Sequence, residues 1–216
     1  MNIVKDKSEF YKLIIKIIVG LIIIQLIRSL LMVSTNFILV PNNNFLYFNI
    51  CKAISLLLTI SLLFLYFKPT WSELSYSINN KKIFYSICFI VLLILTLIPF
   101  TFSFEVDVLF VNLYGVFLIP FFEETIFRGY IWNKLKNQFN NEYYFLITTS
   151  ILFGIWHIGY LDVFLLNSNS VNIIGLLLFK VILGFLLGLI LGFARLKTDN
   201  IYLSLLLHGL WNLFSF

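Results

Sequence analysis

Apolar residues run through this chain in long uninterrupted stretches, and polar residues are confined to short breaks between them. One helix needs about 20 apolar residues to cross a hydrocarbon core. Seven runs of about that length follow one another, at 13–39, 46–67, 83–102, 108–132, 144–165, 171–196 and 201–216. The pattern predicts an all-α fold, a polytopic membrane helix bundle of about seven transmembrane helices. No soluble domain and no low-complexity segment interrupts it.

Composition agrees with the pattern: 61% of residues are hydrophobic and 12% are charged, against about 25% charged in a soluble domain. The net charge of +5 raises the question of nucleic acid, and the placement of the cations answers it. Lys5, Lys7 and Lys12 precede the first run, and Lys68, Lys81 and Lys82 separate the second and third. Lys134 and Lys136 follow the fourth, and Arg195 and Lys197 lie between the sixth and seventh. The alternate breaks carry no Lys or Arg; one holds Glu105 and Asp107, and Asp162 lies near another. This alternation is a topology signal that predicts an N-inside, C-outside orientation in a cell membrane. No basic face for nucleic acid is left over. The first run lacks alanine and is too long for a signal-peptide core, so it reads as a retained span. Cys51 and Cys88 fall inside runs and read as apolar packing residues.

Some polar residues break the pattern from within. Lys16, Arg28 and Lys180 lie inside runs, where snorkelling or a cavity would accommodate them. Pro120 predicts a kink in the fourth helix. Gly184, Gly188 and Gly192 form a ridge that lets another helix approach closely. Asp199 reads as the N-cap of the last helix.

The segment from Phe121 to Arg128 is different, because it packs Glu123, Glu124 and Arg128 into two turns of a spanning helix. Charges there are costly and are functional candidates by default. Glu124 and Arg128 stand at i and i+4 in the favoured ion-pair order. Glu123 points about 100° away and remains available as a general base. The chain has two histidines, His157 and His208, both inside runs, and Asn212 follows His208 by one turn. At about 1.5 Å per residue, Glu123, His157 and Asn212 all lie roughly 18–20 Å from the inner ends of their helices. Three helices thus bring polar groups to one layer.

Hydrolysis needs an activated water and donors for an oxyanion. Glu123 and His157 suit the first task, and His208 and Asn212 the second. In this version no cofactor is required. A second version uses Glu123, His157 and His208 as ligands of a divalent metal such as zinc, although no HExxH is present. Ser204 is four residues before His208 on the same helix and is expected to bond backbone. No GxSxG occurs, and Asp107, Asp162 and Asp199 sit at span ends. A proton relay is disfavoured by the lack of an inverted repeat.

Glu123-Glu124-xxx-Arg128, Phe153-xxx-His157 and His208-xxx-Asn212, in this order on successive helices, resemble the three motifs of the CPBP family, the CAAX proteases and bacteriocin-processing enzymes also called Abi. Phe127-Arg128-Gly129 and Thr198-Asp199-Asn200-Ile201 extend the likeness. The resemblance spans roughly 108–216. It implies a catalytic core at 106–216 preceded by a unit of three transmembrane helices at 1–105. It also implies an intramembrane endopeptidase, either a glutamate protease or a metalloprotease, that processes CAAX proteins, peptide pheromones or bacteriocins. Glu123, His157, His208 and Asn212 would be catalytic, with Glu124, Arg128 and Phe153 in support. The implied partners are a peptide or membrane-anchored protein substrate and the lipid bilayer. The competing reading is a non-catalytic bacteriocin-immunity or partner-binding membrane protein.

Overall fold

The computed structural model describes residues 3–39, 45–77, 81–101, 105–167 and 172–214. Helix α1 is Lys7–Leu39, α2 Phe45–Phe67 and α3 Lys81–Thr101. The long α4 is Val106–Lys136. Then come α5, Glu142–Trp156, a 3₁₀ turn at His157–Tyr160, and α6, Leu161–Asn167. The chain ends with α7, Ile173–Thr198, and α8, Tyr202–Phe214. Among the described residues there is no strand, only an isolated bridge between Val4 and Phe139. Of the expected span limits, Phe102, Val171 and Phe216 lie outside the described residues, as does the break at 41–44.

Five of these stretches are long and apolar enough to cross a membrane: α1, α2, α4, α7 and the segment Glu142–Leu166. Their outer faces are apolar too, as at Ile22, Leu26 and Leu30 on α1 and Ile182, Leu186 and Ile190 on α7. In water such faces would be a liability, whereas in lipid they are the solvated surface. The chain is therefore an all-α, multi-pass membrane bundle.

The breaks rich in Lys and Arg gather at one end of the bundle. Lys5 N donates to Gln138 O at 3.0 Å, Asn133 Nδ2 to Ser75 Oγ at 2.8 Å, and Ile201 N to Ser75 O at 3.3 Å. Asp199 also lies at this end. It terminates α7 with a left-handed backbone, φ 51°, and the N–H of Tyr202 at the start of α8 is taken by Asn200 Oδ1 at 3.1 Å. The N-cap expected of Asp199 is thus replaced by an Asn200 turn, because Asp199 is held by Arg195 at 3.2 Å and Lys136 at 3.4 Å. Burial alone would raise the Asp199 carboxyl, but these two cations outweigh it and hold it below its ordinary range.

The main core surrounds α4, where Phe122, Phe127, Trp132, Phe153 and Leu191 are buried almost completely. Cys51, also fully buried, packs with Met32 and Phe48 between α1 and α2. Pro120 acts on α4 through a wide turn. Proline has no N–H to give to the carbonyl four residues back, and the helix answers with a π segment at Tyr114–Leu118. Ile119 N–H bonds to Tyr114 O, five residues back, which leaves the Gly115 carbonyl without its usual α-helical donor. A second π segment, Thr125–Ile131, carries Arg128.

Candidate active site

The freed carbonyl on α4 explains the position of Asn212. Its Nδ2 donates to Gly115 O at 2.8 Å, so the first π turn anchors α8 by a side-chain bond. Gly209, on the same helix, permits this approach: a methyl there would stand 2.5 Å from Val116 O.

Glu124 and Arg128 are both fully buried. Arg128 Nη1 donates to Glu124 Oε1 at 2.9 Å, and Nη2 donates to Gly188 O at 3.0 Å on the glycine ridge of α7. The guanidinium stacks on Phe153, with Cζ 4.4 Å from the ring centroid. Buried charges persist only when paired and hydrogen-bonded; the pair and these bonds supply most of that, while Glu124 Oε2 and Arg128 Nε are buried without a hydrogen-bond partner. Glu124 Oε1 also lies 3.0 Å from His208 Nδ1.

Glu123 is 1% exposed and faces another way. Its Oε1 accepts two hydrogen bonds, from Trp156 Nε1 at 3.0 Å and from Tyr160 Oη at 2.6 Å. Its Oε2 is buried with no hydrogen-bond partner, and the nearest imidazole nitrogen, His208 Nε2, is 3.7 Å away. That separation is too long for a hydrogen bond. One oxygen of this carboxylate is thus held rigidly and the other is left uncommitted. A carboxylate oxygen can only accept, so His208 Nδ1 carries the hydrogen toward Glu124, and Nε2 donates only when the ring holds a second proton.

His157 begins the 3₁₀ turn after α5. Its Nδ1 is 2.8 Å from Phe153 O; a carbonyl only accepts, so Nδ1 is the donor and Nε2 of the neutral ring has the lone pair. Phe153 stands edge-on to both imidazoles, at centroid distances of 5.0 Å to His157 and 5.7 Å to His208. Glu123, Glu124, Arg128 and His208 therefore form one contiguous polar cluster. His157 joins it through ring contacts with Phe153 and Tyr160, the latter at 6.1 Å. Asn212 is tied to the α4 backbone through its bond to Gly115 O.

The glycine ridge has a local task here. A Cβ on Gly184 would lie 2.6 Å from His157 Nδ1 and 2.8 Å from Cε1, so α7 leaves the imidazole its space. At Gly188, a Cβ would meet the Ser150 backbone at 3.0 Å. Gly184→Ala is expected to push His157 off its Phe153 bond and lower turnover at least tenfold, a barrier change of about 1.4 kcal/mol. Steady-state kinetics beside a melting curve would check this, since a purely packing effect would lower the melting temperature alone.

Zinc asks for three or four converging protein ligands at about 2.0–2.3 Å. Among the described residues, no group of three His, Cys, Asp or Glu side chains is arranged to hold a metal ion. Glu123, His157 and His208 do not fit a metal site as they stand.

Sequence reasoning missed Trp156 and Tyr160, the two donors to Glu123, because an indole and a phenol in an apolar run look like core or interface residues. Their proximity to His157 was the available signal. It also missed the surroundings of Arg28. Instead of snorkelling, Arg28 is 1% exposed and paired with Asp162 at 2.6 Å. Of the other two cations, Lys180 lies over the Phe164 ring at 5.3 Å, and Lys16 lines an apolar cavity of about 450 Å³ between α1, α2 and α4. Ser204 bonds the Ile201 carbonyl at 2.9 Å, as a backbone-bonding serine does.

No curated protein and no solved structure matches the chain significantly. The family model described as type II CAAX prenyl endopeptidase Rce1-like matches residues 105–214. That match takes in α4 to α8, and so every residue of the Glu123–His208 cluster together with His157 and Asn212. With half of the chain under the match, the protein belongs to the Rce1-like family of type II CAAX prenyl endopeptidases, a family of peptidases.

Proposed function

We propose that the chain is an intramembrane endopeptidase that cleaves membrane-associated peptides or proteins with a water activated by Glu123 and His157. The observation that carries this reading is the division of labour within Glu123: Oε1 is pinned by Trp156 and Tyr160, and Oε2 is buried, unpartnered and beside His208. Water bound at Oε2 loses a proton to it as the water oxygen attacks the scissile carbonyl. His157 orients the water through Nε2. Asn212, and His208 through Nε2 once its ring holds a second proton, stabilise the tetrahedral oxyanion, where loss of one such donor costs about 2.7–4 kcal/mol. The proton held on Glu123 then passes to the leaving amine as the C–N bond breaks. Glu124, Arg128 and Phe153 hold the framework.

Two further parts belong to the same reading. The end that gathers the Lys- and Arg-rich breaks faces the cytoplasm, and the helices before residue 106 form a unit added to the core at 106–216. The bacterial cytoplasmic membrane is the expected location, and CAAX-like proteins, peptide pheromones or bacteriocin precursors are the expected substrates.

The test is cleavage of lipidated peptides by the purified chain in liposomes, followed by mass spectrometry, with and without exhaustive chelation. Cleavage at an unchanged rate after metal stripping is the expected result. Activity that disappears on chelation and returns with zinc would overturn the metal-free mechanism, and absence of any cleavage from a broad peptide set would sink the enzymatic reading.

A further inference from the structure

Helix α1 lies outside the family-matched residues, yet it delivers a buried cation to the edge of the candidate site. Arg28 Nε donates to Gln25 Oε1 at 2.7 Å. Its Nη2 donates to the Gly159 carbonyl at 2.8 Å and to Asp162 Oδ1 at 2.6 Å. The guanidinium lies over the Tyr160 ring, 4.6 Å from the centroid. Gln25, about one turn earlier, donates from Nε2 to the Trp156 carbonyl at 3.1 Å.

Every one of these contacts outside α1 falls within 156–162, the end of α5 and the turn after it. A 3₁₀ turn between two helices leaves carbonyls without α-helical partners, and α1 supplies donors to two of them. The fit is close, since a methyl on Gly159 would overlap the Gln25 side chain. The same turn region carries the two groups that hold Glu123, the Trp156 indole and the Tyr160 hydroxyl. A buried guanidinium is costly unless fully partnered, and Arg28 has its partners where a loosened turn would release Glu123.

We propose that Arg28, supported by Gln25, is a positioning residue of the hydrolytic site: it locks the 156–162 turn from α1 so that Trp156 and Tyr160 keep Glu123 in one rotamer. The proposal rests on the reading of Glu123 as the base. It makes the first helix part of the working site in this chain, so the family-matched segment alone is an incomplete catalytic unit.

A merely structural role for Arg28 predicts lost stability with unchanged chemistry in the folded fraction. The positioning role predicts a change in the chemical step. The experiment uses the full chain in liposomes and measures kcat, KM and the pH–rate profile for wild type, Arg28→Met, Arg28→Lys, Tyr160→Phe, the Arg28→Met/Tyr160→Phe double variant and Glu123→Gln. Arg28→Met is expected to lower kcat at least tenfold with little change in KM, the pattern of an interaction needed for the transition state. Its pH–rate profile should move in the same sense as that of Tyr160→Phe. The double variant should be no worse than the poorer single one, because both act through one carboxylate. Arg28→Lys keeps the charge beside Asp162 but lacks the planar fork, so it should fold and recover activity only in part. Wild-type kcat and pH profile in a folded Arg28→Met or Arg28→Lys, with Glu123→Gln inactive, would overturn the positioning role and leave Glu123 as base. If Arg28→Met does not fold, Arg28→Lys decides by the same criterion. A wild-type rate in Glu123→Gln would overturn the assignment of Glu123 and the positioning role with it.

Discussion

Glu123→Gln is expected to lower kcat by about 10²–10⁴, the usual contribution of a general base, and to leave the fold nearly unperturbed. The geometry separates the two effects. The carboxamide oxygen of Gln can still accept from Trp156 Nε1 and Tyr160 Oη, the bonds that hold Oε1 at 3.0 and 2.6 Å. What is lost is a second oxygen able to take a proton at the position of Oε2. Cleavage of a lipidated peptide in liposomes measures the first effect, and a melting curve in detergent measures the second. A variant that melts like wild type and still cleaves at the wild-type rate would remove Glu123 from the mechanism. Glu124→Gln serves as contrast: Glu124 is committed to Arg128 and His208, so its neutralisation is expected to show first in stability.

Arg128→Met is expected to cost about 3–5 kcal/mol of stability, the range for removing one partner of a buried ion pair. The loss has three sources. Glu124 becomes an unpaired carboxylate with no exposed surface, the Gly188 carbonyl loses its donor, and Phe153 loses the guanidinium stacked on it. Adding Glu124→Gln should return much of the loss, because the double variant buries no net charge at that pair. Denaturation of the four proteins in a double-mutant cycle would check this. A double variant as unstable as Arg128→Met alone would assign the cost to Gly188 and Phe153 instead of the ion pair. Activity should not return with stability, since His208 Nδ1 depends on the Glu124 carboxylate.

These two predictions draw on residues of unequal legibility. The Glu124–Arg128 pair could be read directly, because both groups lie on one helix at a spacing that places them side by side, and the structure joins them at 2.9 Å. The partners of Glu123 could not be read this way. Trp156 and Tyr160 reach it from another helix and turn, 33 and 37 residues away, and nothing in helical periodicity encodes that meeting. Arg28 and Asp162 are 134 residues apart; taken singly, Arg28 read as a cation inside a span that would snorkel or line a cavity, and Asp162 as a residue at a span end. Pro120 was legible as a disturbance of α4. Its local form was not, because how the helix accommodates the missing N–H depends on what takes up the freed Gly115 carbonyl, and that is Asn212 on α8. Asp199 went astray for a similar reason, since cations at the end of α7 and on α4 compete with the helix that follows.

The sequence by itself determined the solvent, the helical class and the family: lipid demands apolar runs with internally satisfied backbones, the six motif-bearing polar positions interrupt those runs, and both facts are local. It also determined which charges the spanning helices would have to neutralise. Only the tertiary structure decided how they are neutralised and which carboxylate oxygens are left over. Hydrogen bonds between helices depend on rotation and depth to within about an ångström, and side-chain spacing along one helix carries no such information. Glu123 therefore stands out from Glu124 twice: once by helical phase, and again because neutral donors steadied by α1, Trp156 and Tyr160, hold it where the Arg128 cation holds Glu124.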